Sequence, residues 1–316
     1  GGLRYYDYEN SLYGFNGWIG RCTGFYDESG NFVEDRDNGS LQYPCYDTGV
    51  LDDTTENDDV IGKFNVTYNL SDDKLVYFTW SEGYRPGGVN RAQEGAPYEE
   101  DFVTNWEVGA KTTWMDGRMR LNGALYYMDW EDIQYNSLTF GLGVPLTIIN
   151  NAGDAEIYGL EFDMDLAITD GLTWSLSGAY TDAETTDSIQ VSEVDFIAEG
   201  TALPYVPEYQ FSTILRYDTQ IGDFGMYAQG AWSYKDEVHT SLRDEFSMDV
   251  DSYDVLNLAF GIARNSWHAD LFIDNATDER GELDNINPYP AFHVVTDTYY
   301  DVIRPRTIGL RFGQRF

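Results

Sequence analysis

The segment SEGYRPGGVNR, residues 81–91, sets two arginines around a Pro-Gly-Gly turn, directly after the aromatic run Leu75–Trp80. Guanidinium groups recognise carboxylate and phosphate with fixed geometry. Arg85 and Arg91, with the adjoining Tyr84, are the candidate ligand-binding residues. The competing use is anchoring, with the arginines paired to neighbouring loop carboxylates. His239 and His293 have acids nearby (Asp236, Glu237, Asp297), which raises hydrolytic chemistry. With 55 carboxylates in the chain such neighbours are unavoidable, and no G-x-S-x-G, H-E-x-x-H or P-loop signature is present. No catalytic residue is assigned, the chain is read as a non-enzyme, and no cofactor is implied. DDTTENDD (52–59) and DRDN (35–38) offer oxygen ligands for calcium, but neither has the EF-hand spacing, so metal binding stays open beside plain solvation. Cys22 and Cys45 lie in one polar loop, which suits a disulfide made in an oxidising compartment. A zinc site from these two and the scattered histidines has poor spacing.

Composition narrows the function further. A net charge of −36 argues against nucleic-acid binding, because phosphate contacts need Lys and Arg. It equally disfavours electrostatic steering of anionic ligands. Hydrophobic residues make up 42%, which argues against disorder, yet mean hydropathy is −0.45 and no long apolar run exists. Membrane-spanning helices are excluded on that count; spanning strands are not, because their alternation averages out. Aromatic residues reach 16%, including 25 Tyr and 8 Trp, enough for two interfacial girdles. The chain opens Gly1-Gly2-Leu3 without Met or signal sequence, which reads as a processed or partial polypeptide.

The elements that must carry these residues are strands. In 253–263 Leu256, Leu258, Phe260 and Ile262 alternate with Asn257, Ala259 and Gly261. The stretches 156–166 and 304–316 repeat the pattern, with Glu161, Asp163 and Asp165 on the polar face of the first. The pattern predicts about 12 strands, near 3–17, 60–70, 74–85, 102–114, 118–130, 155–167, 172–183, 207–218, 224–236, 252–263, 267–277 and 304–316. Tight connections such as Met115-Asp116-Gly117 and Ile221-Gly222-Asp223 alternate with long ones such as 18–59 and 184–206. That alternation puts all tight turns at one end, as in outer-membrane barrels with short periplasmic turns and long extracellular loops. Trp80, Trp106, Trp114, Trp130, Trp174, Tyr180, Tyr217 and Trp232 fall near strand ends, as a lipid–water boundary requires. Inward Glu107, Glu161, Asp163, Asp165 and Asp270 would line a lumen. The sequons at Asn65 and Asn275 fall inside expected strands and are discounted.

These stretches resemble the TonB-dependent outer-membrane receptors. YFTWSEGYRPGGVNR (77–91) looks like that family's strand-to-loop motif, LFIDNATDERG (271–281) like its Asn-x-x-Asp-x-Arg segment, and RPRTIGLRFGQRF (304–316) like its closing strand. The segments 105–134 and 151–166 read as its hairpin strands. The resemblance implies an all-β transmembrane antiparallel barrel, with 1–316 as the C-terminal part of about 22 strands and the plug absent from this chain. It implies a Gram-negative outer membrane, contact with lipopolysaccharide, and Phe316 as the C-terminal assembly signal. It also implies an N-terminal barrel half and plug as partners, with TonB acting through that plug. The cargo it implies is a small scarce nutrient, first a ferric siderophore or other iron complex, with oligosaccharide or vitamin B12 as alternatives. A passive porin or structural surface barrel is the competing class. The pairing partner of 304–316 separates an open wall from a complete 12-stranded pore.

Overall fold

The alternation settles into one sheet because each tight turn returns the chain antiparallel at fixed register. The computed structural model describes residues 1–15, 24–26, 32–34, 50–90, 96–141, 144–151, 153–190, 196–243, 247–286 and 299–315. Twelve strands make the wall: β1 Gly2–Phe15, β2 Val50–Ser71, β3 Lys74–Arg85, β4 Asp101–Trp114, β5 Met119–Glu131, β6 Ala155–Ala167, β7 Leu172–Thr185, β8 Tyr209–Ile221, β9 Phe224–Lys235, β10 Tyr253–Arg264, β11 Trp267–Asp274 and β12 Thr307–Gln314. Every strand pairs with its neighbours in chain order, and all pairs are antiparallel. There is no helix among the described residues.

Strand β12 pairs with β11 and not with β1, so the sheet is open and a barrel closed at 12 strands is set aside. The largest shift of an expected boundary is in the second strand. The second strand begins at Val50, so the acidic stretch 52–59 is strand and not loop, paired along β1 from Asp59↔Tyr6 to Asp52↔Tyr13. Neither face of this upper hairpin alternates in hydrophobicity, so periodicity could not mark it. Asn275 likewise lies just beyond β11 and not inside it. The long connections are not bare loops. They carry short antiparallel pairings: Gly24–Tyr26 with Phe32–Glu34, Gln134–Gly141 with Val144–Asn151, Ile189–Gln190 with Phe196–Ile197, Val238–His239 with Asp249–Val250, and Glu282–Ile286 with Tyr299–Val302.

The register stacks the outward face into layers. One cross-strand row is Val66, Phe78, Val108, Leu125, Leu160 and Tyr180. The next row toward the long connections is Phe64, Trp80, Trp106, Tyr127 and Tyr158. Beyond it lie Glu82, Asp129, Glu156 and Glu184. Apolar, aromatic and carboxylate layers thus succeed one another, the order of a hydrocarbon-to-water boundary. Leu310 is 83% exposed and Phe312 68%, so this face packs on no protein core among the described residues. The buried apolar cluster sits at the loop end instead, in Ile133, Ala155, Ala183, Ile189, Ile197, Leu203 and Leu242. Trp130 packs against that cluster, so it belongs to the roof and not to an interfacial girdle.

The polar face is inlaid with aromatic–glycine pairs. Tyr77 lies over Gly109, Tyr126 over Gly159 and Tyr227 over Gly261, each across the strand from its glycine. Their hydroxyls reach on to Glu107 at 2.5 Å, Thr181 at 2.8 Å and Asp270 at 3.0 Å. These rings cover bare backbone and leave carboxylates such as Glu161 and Asp163 on the same face.

Candidate ligand-gathering end of the wall

The Pro-Gly-Gly turn is built for close approach. A Cβ on Gly87 would lie 2.5 Å from the Tyr98 carbonyl oxygen, and one on Gly88 would lie 2.3 Å from the Tyr98 hydroxyl. Only glycine lets the outgoing chain exchange its two 2.9 Å backbone bonds between Gly88 and Tyr98. Asn90 then pins the connection to a neighbouring hairpin. Its amide donates to the Ala96 and Ile149 carbonyls, both at 2.7 Å, and its Oδ1 accepts from the Ile149 N–H at 2.8 Å.

Arg85 ends β3 opposite Asp101, the first residue of β4. Asp101 is 3% exposed and accepts from the Arg85 guanidinium, from Trp130 Nε1 at 3.1 Å and from the Gln134 N–H at 3.4 Å. The Arg85 side chain itself is 51% exposed. Gln134 then donates to the Pro86 and Glu99 carbonyls, both at 3.0 Å. Asn151 donates to Glu99 O at 3.0 Å and to Asp132 O at 2.9 Å, and accepts from Glu99 N at 2.7 Å. Two connections, 86–100 and 132–154, are thereby tied to each other and to the ends of β3 and β4. Charge-assisted bonds to a buried carboxylate are the strong members of such a set.

Tyr84 stacks face to face on Tyr6, with ring centroids 3.6 Å apart. Next to it Glu100, itself buried, accepts from Tyr8 at 2.9 Å and from the Asn57 amide. The upper hairpin of β1 and β2 therefore leans on the 86–100 connection through Tyr6, Tyr8 and Asn57. Arg91, Cys22, Cys45, His293 and Phe316 lie outside the described residues. So does the DRDN stretch. Among the described residues no group of three or more His, Asp or Glu is placed to hold a metal. His239 Nδ1 lies 2.8 Å from Asp249 Oδ1, both side chains exposed, across a two-residue pairing whose Val238 and Val250 are buried.

Two further ties join the roof. Tyr205, at φ +61°, donates to Asp284 at 2.9 Å; burial, with that carboxylate behind it, pushes its hydroxyl up to about 12. Asp278 accepts the Arg306 N–H at 2.9 Å, and this bond, backed by the Arg280 and Arg306 charges, holds its carboxyl below the ordinary range. Asn275 completes the joint, donating to the Glu279 and Arg304 carbonyls at 2.9 and 3.0 Å.

Residues 1–276 match the family model for the TonB-dependent receptor-like β-barrel. The chain belongs to the TonB-dependent receptor family. Its members are outer-membrane receptors of Gram-negative cells and not enzymes, and the sheet forms part of such a barrel, with no plug domain among the described residues. The pesticin receptor of Yersinia enterocolitica is 27% identical over 198 residues, covering 59% of this chain. That stretch is 27% of the relative, so the chain spans only a fraction of its curated relatives' length. Among solved structures, the ferric yersiniabactin uptake receptor FyuA from Yersinia pestis superposes with a TM-score of 0.69 at 19% identity, covering 84% of this chain and 38% of that one. The copper transporter OprC superposes with a TM-score of 0.65 at 16% identity, covering 91% and 42%. In this receptor wall, the residues missed by sequence reasoning are Asp101, Asn90, Gln134, Asn151 and Glu100. Asp101 had a signal: counting up from the Trp80↔Trp106 pair sets it against Arg85.

Proposed function

We propose that these residues form the C-terminal part of the barrel of an active-transport receptor, with the long connections facing the cell exterior. The receptor takes up a scarce nutrient, an iron complex such as a ferric siderophore, and draws its energy from TonB through a plug. The observation that carries this reading is the platform around Asp101. It ties the 86–100 and 132–154 connections together, with Tyr84 and Arg85 at its edge, beside a wall whose polar face suits a plug. Preorganised contacts of this kind cut the entropic cost of capturing a dilute ligand. The solved structures it resembles include uptake receptors for ferric yersiniabactin and ferric preacinetobactin, which favours iron.

The test is growth and labelled-iron uptake in cells carrying the receptor, on a panel of ferric chelates, with and without a functional TonB. Uptake of at least one chelate should depend on both. Uptake of small solutes that persists without TonB would mark a porin. A second reading takes copper or another cation as cargo. It is favoured by the acidity of the long connections, since 186–208 carries five carboxylates and no Lys or Arg. Copper uptake with no response to any ferric chelate would move the assignment there.

A further inference from the structure

The outward apolar face is not uniformly filled. Along β9 the outward residues run Met226, Ala228, Gly230, Trp232, so two small side chains interrupt a belt of large ones. Leu215 and Tyr217 on β8 rise on one side, and Leu258 and Phe260 on β10 on the other. Between them lies a groove of about 470 Å³. It lies within the apolar layer, where the surrounding solvent is hydrocarbon and a void forfeits dispersion contacts.

A cation stands at the end of this groove nearest the tight turns. Arg264 comes four residues after Phe260 on the same outward face, roughly 13 Å along the strand. Its guanidinium lies 4.9 Å over the Phe224 ring, and its Nη2 meets Asp223 at 2.9 Å. Its Nε is buried and donates to nothing among the described residues. The outward residues between groove and guanidinium, Met226, Ile262 and Ala269, are apolar. An apolar channel thus leads to one arginine at the membrane boundary, its side chain partly exposed beside Asp223.

We propose that a single phospholipid occupies this face, one acyl chain lying over Ala228 and Gly230 and its phosphate meeting Arg264. The leaflet is the one at the tight-turn end, which the proposed orientation makes periplasmic. Charge and polarity match the molecule in sequence: apolar groove, apolar bridge, cation. Lys74 offers a parallel at the same end. It sits 3.3 Å over the Trp114 ring, a cation held at the same boundary by an aromatic face.

The test is native mass spectrometry of the intact receptor extracted from outer membranes in mild detergent. Wild type should retain one phospholipid. Gly230→Leu puts its Cβ in ordinary contact with the Leu258 side chain at 3.7 Å, and its branch fills the groove. Excluding about two methylenes should lower retention roughly tenfold. Arg264→Gln should lower it several-fold, and Gly230→Ala should leave it near wild type. Ala228→Leu gives an independent filling variant if Gly230→Leu does not assemble; assembly is read from heat-modifiable gel mobility. Wild type without bound lipid, or a groove-filled variant retaining as much as wild type, overturns the proposal. Retention of lipid A instead of a phospholipid, or loss of a receptor dimer instead of a lipid, overturns it as well.

Discussion

On the outward face, the two ends of the wall place aromatic residues in opposite electrical company. At the loop end the row Trp80, Trp106, Tyr127, Tyr158 is backed by Glu82, Asp129, Glu156 and Glu184. Hydroxyls are committed to these and neighbouring acids, as in Tyr127 to Glu156 at 3.1 Å and Tyr158 to Asp182 at 2.7 Å. At the turn end rings carry cations instead, Lys74 on Trp114 and Arg264 on Phe224. The stabilising chemistry differs too. Short, tight turns close one end, whereas the other depends on side chains reaching across long stretches of sequence. An end closed by turns tolerates change, and an end closed by buried polar bonds does not.

Asp101→Ala should have the largest effect on this contrast. It strands Trp130 Nε1 and the Gln134 N–H beside the half-exposed Arg85, a loss of about 3 kcal/mol to the platform. Hydrogen exchange should quicken across 86–90 and 132–136 while the turn-end hairpins keep their protection. Equal loosening at both ends would mean that the loop end is not held as a separate unit.

A smaller separation is expected from glycines. Gly88→Ala forces a Cβ into the Tyr98 ring and should cost about 1–3 kcal/mol, the usual penalty of overpacking. Gly230→Ala, with ordinary contact at 3.7 Å, should stay within roughly 0.5 kcal/mol. Denaturation midpoints of the two variants, at unchanged denaturant dependence, give the comparison. A Gly88→Ala variant as stable as wild type would show that the 86–100 connection can shift without loss.

How much of this was legible depends on distance along the chain. Most wall strands could be bounded to within a few residues because each has one lipid-like and one polar face. The upper part of β2 could not, since Asp53, Thr55 and Asn57 on one face match Asp52, Thr54 and Glu56 on the other in polarity. The Arg85–Asp101 pair was within reach of simple register counting. The Asn90–Ile149 bonds were not, because they join residues 59 apart through a small hairpin that no periodicity announces.

Acid probes the joint at the loop end beside β11 and β12. Asp278 has a folded value held below its ordinary 3.8, so its contribution is complete above that value and is lost as pH falls through the lowered one. Protection of the Arg306 amide should therefore persist through about pH 5 and 4 and fade only below the ordinary carboxylate range. Asp278→Asn should remove that late step. Loss of protection already near pH 5 would show that another group controls the joint.

The smallest expected effect tests the electrical contrast itself. Lys74→Gln removes a cation from the Trp114 face and should cost about 0.5–1 kcal/mol. Glu156→Gln acts oppositely: it relieves repulsion from Asp129 and Glu184, its cross-strand partners, while the amide oxygen can still accept from Tyr127. Like charges directly opposite cost a few tenths of a kcal/mol, so this variant should be neutral or slightly more stable. Added salt should shrink both differences, because screening weakens attraction and repulsion alike at exposed sites. Reconstitution in bilayers with increasing anionic lipid should enlarge the Lys74→Gln deficit, since the lost cation also faces the headgroups. If both variants lose stability equally and neither responds to salt or lipid charge, the two ends differ only in residue type. Their opposite charges would then carry no role in seating the wall in its membrane.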